Sequence, residues 1–288
     1  MSRLKLQYRD LPSQAKVFYR EAGETSAPVI LLLHGFPSSS HQYRNLIPIL
    51  ATKYRVIAPD LPGFGFTEVS EGFQYTFDNL AAVVGEFLDA LSIARFSVYV
   101  FDYGAPTGLR LALQRPAAVQ AIITQNGNAY EEGLGGFWDT IRELWSSNNS
   151  SDVRSKLTSG LLSFEATKWQ YDEGTQSSRV IAPESYNLDY TLLQRPGNSE
   201  IQLDLFWDYR TNIPLYPQFH EYFRQSQIPL LAVWGKNDQI FIPPGAEAFR
   251  RDLPKAEVHL LDAGHFAVET ETEEIGRLIV EFLNKNGI

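Results

Sequence analysis

The fold of this chain is decided by residues 98–108, VYVFDYGAPTG, in which an apolar strand runs into a turn punctuated by glycine. The following residues 109–113, LRLAL, are typical of a helix. A strand that breaks sharply into a helix lifts the side chain at the turn above the sheet edge and leaves backbone N–H groups unpaired beside it. The residue at this turn is Asp102, where the usual nucleophile elbow carries a serine. The stretch therefore predicts an elbow that presents a carboxylate nucleophile.

The composition excludes several classes of chemistry. The 288 residues include no cysteine, which rules out disulfides, thiolate zinc sites and cysteine nucleophiles. The formal net charge is -9 and no arginine-rich run occurs, so we expect no nucleic-acid partner. No HExxH motif, carboxylate cluster or phosphate-binding loop is visible, so we expect no metal and no cofactor.

The hydropathy pattern gives no sign of a membrane partner. The N-terminal residues MSRLKLQ have no long apolar core, and no apolar run approaches the roughly twenty residues that span a bilayer. We therefore expect no signal peptide and a cytoplasmic location. A chain of this length can bury a large core in one α/β domain with an insertion.

Strands and helices alternate along the chain. An edge strand is predicted at residues 16–20, and further strands at residues 28–33, 54–59, 98–101, 119–124, 228–234 and 257–261. Apolar residues from Leu80 to Leu91 recur at helical spacing after a candidate cap at Thr76 or Asp78, and Thr270 with Glu273 resembles a capping box for the last helix. The alternation predicts an α/β fold with a mostly parallel central sheet flanked by helices.

The pattern changes at residues 129–225, which are rich in aromatic residues and show no buried parallel strand. We predict a helical cap, or lid, over these residues, inserted between two core segments at residues 1–128 and 226–288. Most of the aromatic side chains are expected only to pack the cap against the core. A cap of this kind over an apolar cavity suits a small apolar organic substrate.

Four predicted turns follow apolar strands directly. They contain residues 34–37 (HGFP), Asp102, Asp238 and His265. Ligands of an open parallel sheet bind beyond the carboxyl ends of the strands, so the fold is expected to bring these turns together. Their order, acidic nucleophile, second acid and histidine, matches the order of the α/β-hydrolase triad.

The chain resembles the α/β-hydrolases of the epoxide hydrolase and haloalkane dehalogenase group over its whole length. Residues 34–37 resemble the family's HGxP oxyanion loop, and residues 60–65, DLPGFG, resemble its D-x-P-G-x-G loop. Residues 100–104 resemble its elbow, residues 234–238 its acid loop, and Gly264 with His265 its histidine loop. Each motif is weak alone, but five in the right order, each at a predicted strand end, are specific.

The resemblance implies hydrolysis in two steps. Asp102 would attack an sp3 carbon to form an alkyl ester, and His265, oriented by Asp238, would take the proton of the water that opens this ester. The N–H groups of Phe36 and Tyr103 would hold the oxyanion. Water is then the second substrate.

The leaving group separates the two subfamilies. An epoxide needs an acid for its oxygen, and residues 206–212, FWDYRTN, resemble the family's N-W-Y-R-N segment, which makes Tyr209 the predicted acid and Tyr171 a second candidate. A halide needs donors at the positions that hold Phe36 and Tyr103 here, although Trp169 could serve a halide from the cap. His34, which is expected mainly to brace its turn, and Pro37 are assigned to the pocket.

Together these features favour an epoxide hydrolase. A haloalkane or haloacid dehalogenase is the runner-up, because the elbow also resembles that of dehalogenases. An esterase or lactonase, and a ligand-binding protein that keeps the fold without turnover, are the remaining alternatives. The sequence is compatible with a monomer or a homodimer.

Overall fold

The computed structural model describes residues 3–176 and 181–288. Its strands are β1 (Lys5–Asp10), β2 (Lys16–Ala22), β3 (Val29–Leu33), β4 (Arg55–Pro59), β5 (Phe96–Phe101), β6 (Val119–Gln125), β7 (Leu230–Gly235) and β8 (Glu257–Leu261). They form one sheet in the order β1-β2-β4-β3-β5-β6-β7-β8. β2 is antiparallel to both of its neighbours, and all pairs from β4 to β8 are parallel. The predicted α/β fold with a mostly parallel sheet is therefore confirmed.

The edge of the sheet differs from the prediction. Residues 16–20 belong to β2, which lies one position inside the sheet, and β1 forms the edge. All residues of β1 are exposed except the half-buried Gln7. A strand without a buried face has no alternation of apolar and polar residues, so the sequence pattern could not reveal it.

The α-helices of the described residues cover both faces of the sheet. They are α1 (Leu46–Leu50), α2 (Phe77–Ala90), α3 (Gly104–Gln114), α4 (Asp139–Ser146), α5 (Ser151–Leu161), α6 (Phe164–Asp172), α7 (Pro183–Leu193), α8 (Asn198–Asp208), α9 (Tyr216–Ser226), α10 (Pro244–Asp252), α11 (Ala267–Thr270) and α12 (Thr272–Lys285). None of these helices is long and apolar enough to cross a membrane.

Successive residues of the central strands feed two separate cores. Leu31 and Leu33 of β3 pack in the core that contains α2 and α3, whereas Ile30 and Leu32 pack in the core that contains α1 and α12. This is the alternation expected for a strand buried on both faces. The sheet is thus fixed from both sides, and its carboxyl-terminal edge is a rigid platform for the turns that follow the strands.

The two predicted helix caps have different outcomes. Thr76 caps α2, and its hydroxyl oxygen accepts the N–H of Asn79 at 3.2 Å. The capping box predicted from Thr270 and Glu273 is wrong. Thr270 is the last residue of α11, and α12 begins after Glu271 without a side-chain cap. Because residues 267–270 form the separate short helix α11, the last long helix begins at Thr272 and not directly after Thr270.

Residues 129–225, called here the helical insertion, connect β6 to β7. Their described part contains α4 to α8 and most of α9, and it contains no strand of the sheet. The insertion packs on the sheet edge through aromatic side chains, and the ring centres of Phe36 and Phe206 lie 5.1 Å apart. The insertion therefore lies directly over the turns that hold the predicted site residues.

Candidate active site

Asp102 occupies the sharp turn between β5 and α3. Its backbone has a φ of +46°, in the left-handed region that a non-glycine residue rarely adopts. Close packing below the turn requires glycine, because a Cβ on Gly104 would lie 2.1 Å from the carbonyl oxygen of Leu33. The turn therefore holds the carboxylate in one fixed position above the sheet, as the elbow pattern predicts.

Two backbone donors hold the Asp102 carboxylate. The N–H of Phe36 donates to Oδ1 at 2.6 Å, and the N–H of Tyr103 also hydrogen-bonds the carboxylate. Gly35 makes this approach possible, since a Cβ there would lie 2.2 Å from Oδ1. Burial raises the pKa of Asp102 to about 6, against the lowering effect of His265 and of the two N–H groups. These two donors stand where the sequence places an oxyanion hole.

His265 and Asp238 form a buried pair. The Nδ1 atom of His265 lies 2.8 Å from Oδ2 of Asp238. Burial alone would lower the pKa of His265, but the negative charges of Asp238 and, less strongly, Asp102 outweigh it and raise the pKa. The Nε2 atom is buried and has no hydrogen-bond partner among the described residues. This nitrogen is therefore not engaged by another group of the described residues.

Asn126 is a site residue whose role the sequence did not reveal. It follows β6 directly, and its Nδ2 donates to Oδ2 of Asp238 at 2.7 Å. The N–H of Ile240 donates to Oδ1 of the same carboxylate at 2.7 Å. Asp238 thus accepts hydrogen bonds at both oxygens and points one of them at His265. The only signal for Asn126 was its position at a strand end.

Both ring nitrogens of His34, which is assigned to the pocket from the sequence, contact backbone atoms. Its Nε2 accepts the N–H of Leu61 at 2.9 Å, and its Nδ1 lies 3.1 Å from the carbonyl oxygen of Gly35. Burial lowers the pKa of His34, so the ring is neutral and both nitrogens serve the backbone. His34 braces its turn against the loop at residues 60–65, and no polar atom of the ring is left for a leaving group.

Tyr209 lies over the Asp102 turn. It follows α8 directly and is 1% exposed, and its ring centre is 5.9 Å from that of Tyr103. Burial holds the pKa of Tyr209 well above its usual value, and Tyr216 and Asp102 raise it further. The hydroxyl is therefore protonated at neutral pH.

Two further residues of the insertion support Tyr209, and nothing in the sequence distinguished them. The hydroxyl oxygen of Tyr216 accepts a hydrogen bond from Nδ2 of Asn128 at 3.3 Å. The hydroxyl groups of Tyr216 and Tyr209 also hydrogen-bond each other. The ring of Trp138 packs 4.3 Å from that of Tyr209, and its indole N–H donates to the carbonyl oxygen of Ile240 at 2.9 Å. Trp138 therefore connects Tyr209 to the loop that contains Asp238.

Tyr171 is not placed as a second acid. Its hydroxyl donates to Oδ2 of Asp189 at 2.6 Å, and its ring stacks on Phe266 at 3.9 Å. It belongs to the core on the α12 face, whereas Tyr209 and Tyr103 belong to the other core. The phenol proton of Tyr171 is directed to Asp189, so this arrangement does not favour Tyr171 as a second acid.

The two remaining predicted pocket residues lie at different depths. Pro37 is buried and follows Phe36 in a cis peptide bond. Trp169 is half-buried in α6 and stacks on Phe137 with ring centres 5.9 Å apart. Neither arrangement contradicts a place near the substrate. Over residues 3–176 and 181–288, no group of three or more histidine, aspartate or glutamate side chains is arranged to hold a metal ion.

Comparison with known proteins places these features in one family. The sequence profile described as alpha/beta hydrolase fold matches residues 28–272. The uncharacterized hydrolase YNR064C of Saccharomyces cerevisiae is 48% identical over 284 residues, which cover 98% of this chain and 97% of the yeast protein. The structure of haloalkane dehalogenase DbeA from Bradyrhizobium elkani has a TM-score of 0.81 at 22% identity and covers 99% of both chains. Epoxide hydrolase VrEH1 from Vigna radiata has a TM-score of 0.77 at 22% identity over 98% of both chains. At these identities, each of the two structures is similar to this chain in fold only.

Proposed function

The chain belongs to the alpha/beta hydrolase fold family, and on that premise we propose that it opens epoxides with water through an alkyl ester of Asp102. The proposal rests on one observation, the buried Tyr209 ring packed 5.9 Å from the ring of Tyr103, the residue that follows Asp102. Epoxide opening needs both groups, because a nucleophile must attack carbon while an acid protonates the departing oxygen. The helical insertion then acts as the lid that carries the acid.

In the first step, the free oxygen of Asp102 attacks one carbon of the epoxide. The C–O bond of the ring breaks, and the departing oxygen takes the proton of Tyr209. The product is a hydroxyalkyl ester of Asp102 and a tyrosinate at Tyr209. Because Oδ1 is held by the N–H of Phe36 at 2.6 Å, we assign the attack to Oδ2.

In the second step, Nε2 of His265 takes a proton from water, and the oxygen of this water attacks the ester carbon. The resulting oxyanion forms on Oδ1 and is held by the N–H groups of Phe36 and Tyr103. Collapse expels the diol oxygen, which takes the proton from His265. The proton of the regenerated Asp102 carboxyl returns to Tyr209. One epoxide and one water thus become one diol.

The charges of the site suit this order of steps. The negative charge of Asp102 is one of the causes that raise the pKa of His265. Formation of the ester removes this charge, so the pKa of His265 falls at the stage where the ring must be neutral. The histidine therefore becomes a general base as a consequence of the first step.

A haloalkane or haloacid dehalogenase is the second candidate, because the elbow sequence at residues 100–108 also resembles that of dehalogenases. A halide leaves without a proton, so it needs donors rather than an acid. Phe36 offers only its backbone N–H, and the indole N–H groups of Trp138, Trp145 and Trp234 donate to backbone carbonyls. These contacts favour an epoxide over a halide as the substrate, and Trp169 remains the halide donor predicted from the sequence.

Product analysis in heavy-oxygen water tests the proposed function. We expect purified protein to form diols from terminal epoxides faster than it releases bromide from bromoalkanes or acid from simple esters. In a single turnover, the heavy oxygen should enter the Asp102 peptide, and the diol should carry none, because the diol oxygen comes from Asp102. Label in the diol but never in Asp102 would rule out the ester, and faster bromide release would favour the dehalogenase.

Tyr209→Phe is expected to slow epoxide opening by about 100-fold, since loss of a general acid typically costs two or more orders of magnitude. The rate of ester formation in a single turnover measures this effect. Tyr171→Phe is the matched control, another buried tyrosine of the insertion, and it should retain ester formation because its hydroxyl serves Asp189. Full activity in Tyr209→Phe together with loss in Trp169→Leu would contradict the assignment and favour halide chemistry.

A further inference from the structure

We propose that Arg110 is a positioning residue for Tyr209, and that it fixes the distance between the acid and the nucleophile. Arg110 belongs to α3, the helix that begins directly after the Asp102 turn. It is 3% exposed. This inference rests on the proposed function, because Tyr209 is the acid of that reaction.

The guanidinium of Arg110 holds the chain just after Tyr209. Its Nη1 donates to Oδ1 of Asn212 at 2.6 Å, and its Nη2 donates to Oγ1 of Thr211 at 3.2 Å. Nη1 also donates to the carbonyl oxygen of Pro106, within α3, at 3.2 Å. A planar guanidinium with several donors fixes the orientation of its partners better than an ammonium group does. Residues 211 and 212 are therefore tied to the elbow helix.

A second contact holds the residue just before Tyr209. The Asp208 carboxylate accepts the N–H of Phe77, the first residue of α2, at 2.8 Å. A carboxylate at a helix N-terminus satisfies an unpaired donor and interacts favourably with the helix dipole. The Phe77 ring also packs edge-on against Tyr209, with ring centres 5.5 Å apart. Tyr209 is therefore held on both sides by core helices.

The remaining hydrogen-bond partner of Arg110, Asp78, is exposed to solvent. Asp78 accepts a hydrogen bond from Nε at 2.5 Å, but its side chain is 78% exposed. An exposed carboxylate is screened by solvent and adds little to stability. The other donors of the buried guanidinium are directed at residues 106, 211 and 212. This distribution favours a role in placing the Tyr209 segment over a role as a simple ion pair.

Arg110 thus connects the proposed acid Tyr209 to α3, the same helix that follows the proposed nucleophile Asp102. Asp102 precedes α3, and Arg110 projects from the same helix to the segment of Tyr209. A shift of the acid by about 1 Å can cost on the order of 100-fold in rate, even when the change lies away from the reacting atoms. Loss of the guanidinium should therefore weaken the acid without touching the nucleophile or the base.

A double-mutant cycle tests this inference. We expect Arg110→Met to slow ester formation from an epoxide by about 10- to 100-fold, the cost of a misplaced catalytic group, and to leave the opening of the formed ester unchanged. Combined with Tyr209→Phe, the arginine substitution should cost nothing more, because the group that it positions is already absent. Asp78→Asn is the control, since it alters the exposed partner and leaves the contacts to residues 211 and 212 in place.

The outcomes separate this inference from the proposed function. Multiplicative losses in the double variant, or an equal slowing of ester opening, would overturn the role of Arg110 while leaving the function standing. If Arg110→Met does not fold, Asn212→Ala should show the same pattern, because it removes the main acceptor on the insertion. A wild-type protein that forms no diol from any epoxide would overturn the proposed function, and this inference with it.

Discussion

Asp102→Asn is expected to abolish turnover and, at neutral pH, to raise the melting temperature of the protein. An amide is not a nucleophile at this position, so ester formation should fall by on the order of 10⁴-fold or more, as with other covalent catalytic residues. The folded protein should nevertheless gain stability. The wild-type carboxylate is buried, and its pKa is raised from 3.8 to about 6.

The sign of the stability effect follows from this shift. The folded state holds the Asp102 proton more tightly than the unfolded chain does, so stability falls as the pH rises from 3.8 to about 6. Above that window the cost is complete and amounts to about 3 kcal/mol, at 1.36 kcal/mol for each pKa unit. Asparagine does not ionise, and it tolerates the left-handed backbone of this turn.

Thermal unfolding at several pH values measures the prediction. Asp102→Asn should melt above the wild type at pH 7, and this difference should shrink towards pH 4. Asp102→Ala is the control, because it removes the same charge but strains the backbone at a φ of +46° and should gain less. If the difference in melting temperature between the asparagine variant and the wild type does not change with pH, the raised pKa of the buried Asp102 carboxyl group is contradicted.

His265→Gln should trap the covalent intermediate. Loss of the general base should slow ester opening by roughly 10² to 10⁴-fold, while Asp102 and Tyr209 remain able to form the ester. Glutamine can keep a hydrogen bond to Asp238, whose carboxylate also retains the bonds from Asn126 and Ile240. The expected result is a burst of one epoxide consumed for each protein molecule, followed by almost no turnover.

Intact-protein mass spectrometry identifies the trapped species. An epoxide should add its whole mass to the protein, whereas a haloalkane would add the alkyl group without the halide. Peptide mapping should place the added mass on Asp102, and the double variant Asp102→Asn with His265→Gln should acquire none. An adduct on another carboxylate, or unimpaired turnover in His265→Gln, would contradict the assigned roles.

The site at the sheet edge was predictable because its residues follow strands directly. Parallel strands end at the same edge, so Asp102, Asp238 and His265 could be placed together from local patterns alone. Their partners were less visible. Asn126 carries no charge and forms no motif, and its role depends on the position of Asp238 in space.

The insertion was harder to predict than the core. Aromatic residues occupy so many positions there that no single apolar face distinguishes Tyr209 from Tyr171, and only helix packing decides which tyrosine ring lies over the Asp102 turn. Arg110 lies in an ordinary helical run, and its partners in the insertion are 101 and 102 residues away along the chain. Contacts of this range leave no periodic signal in a single sequence.

The hydrogen bond from the Phe36 N–H to Oδ1 distinguishes the two carboxylate oxygens of Asp102, so that only one of them is expected to exchange with water during turnover. In the proposed mechanism Oδ1 stays with its donor, while Oδ2 departs with every diol and is replaced by an oxygen from water. Protein that has turned over in heavy-oxygen water and is then returned to ordinary water should release heavy oxygen in the next diol only. A carboxylate that rotates between turnovers would spread the label over several diols. The enzyme would thus carry, in one atom, a record of the solvent present during its previous turnover.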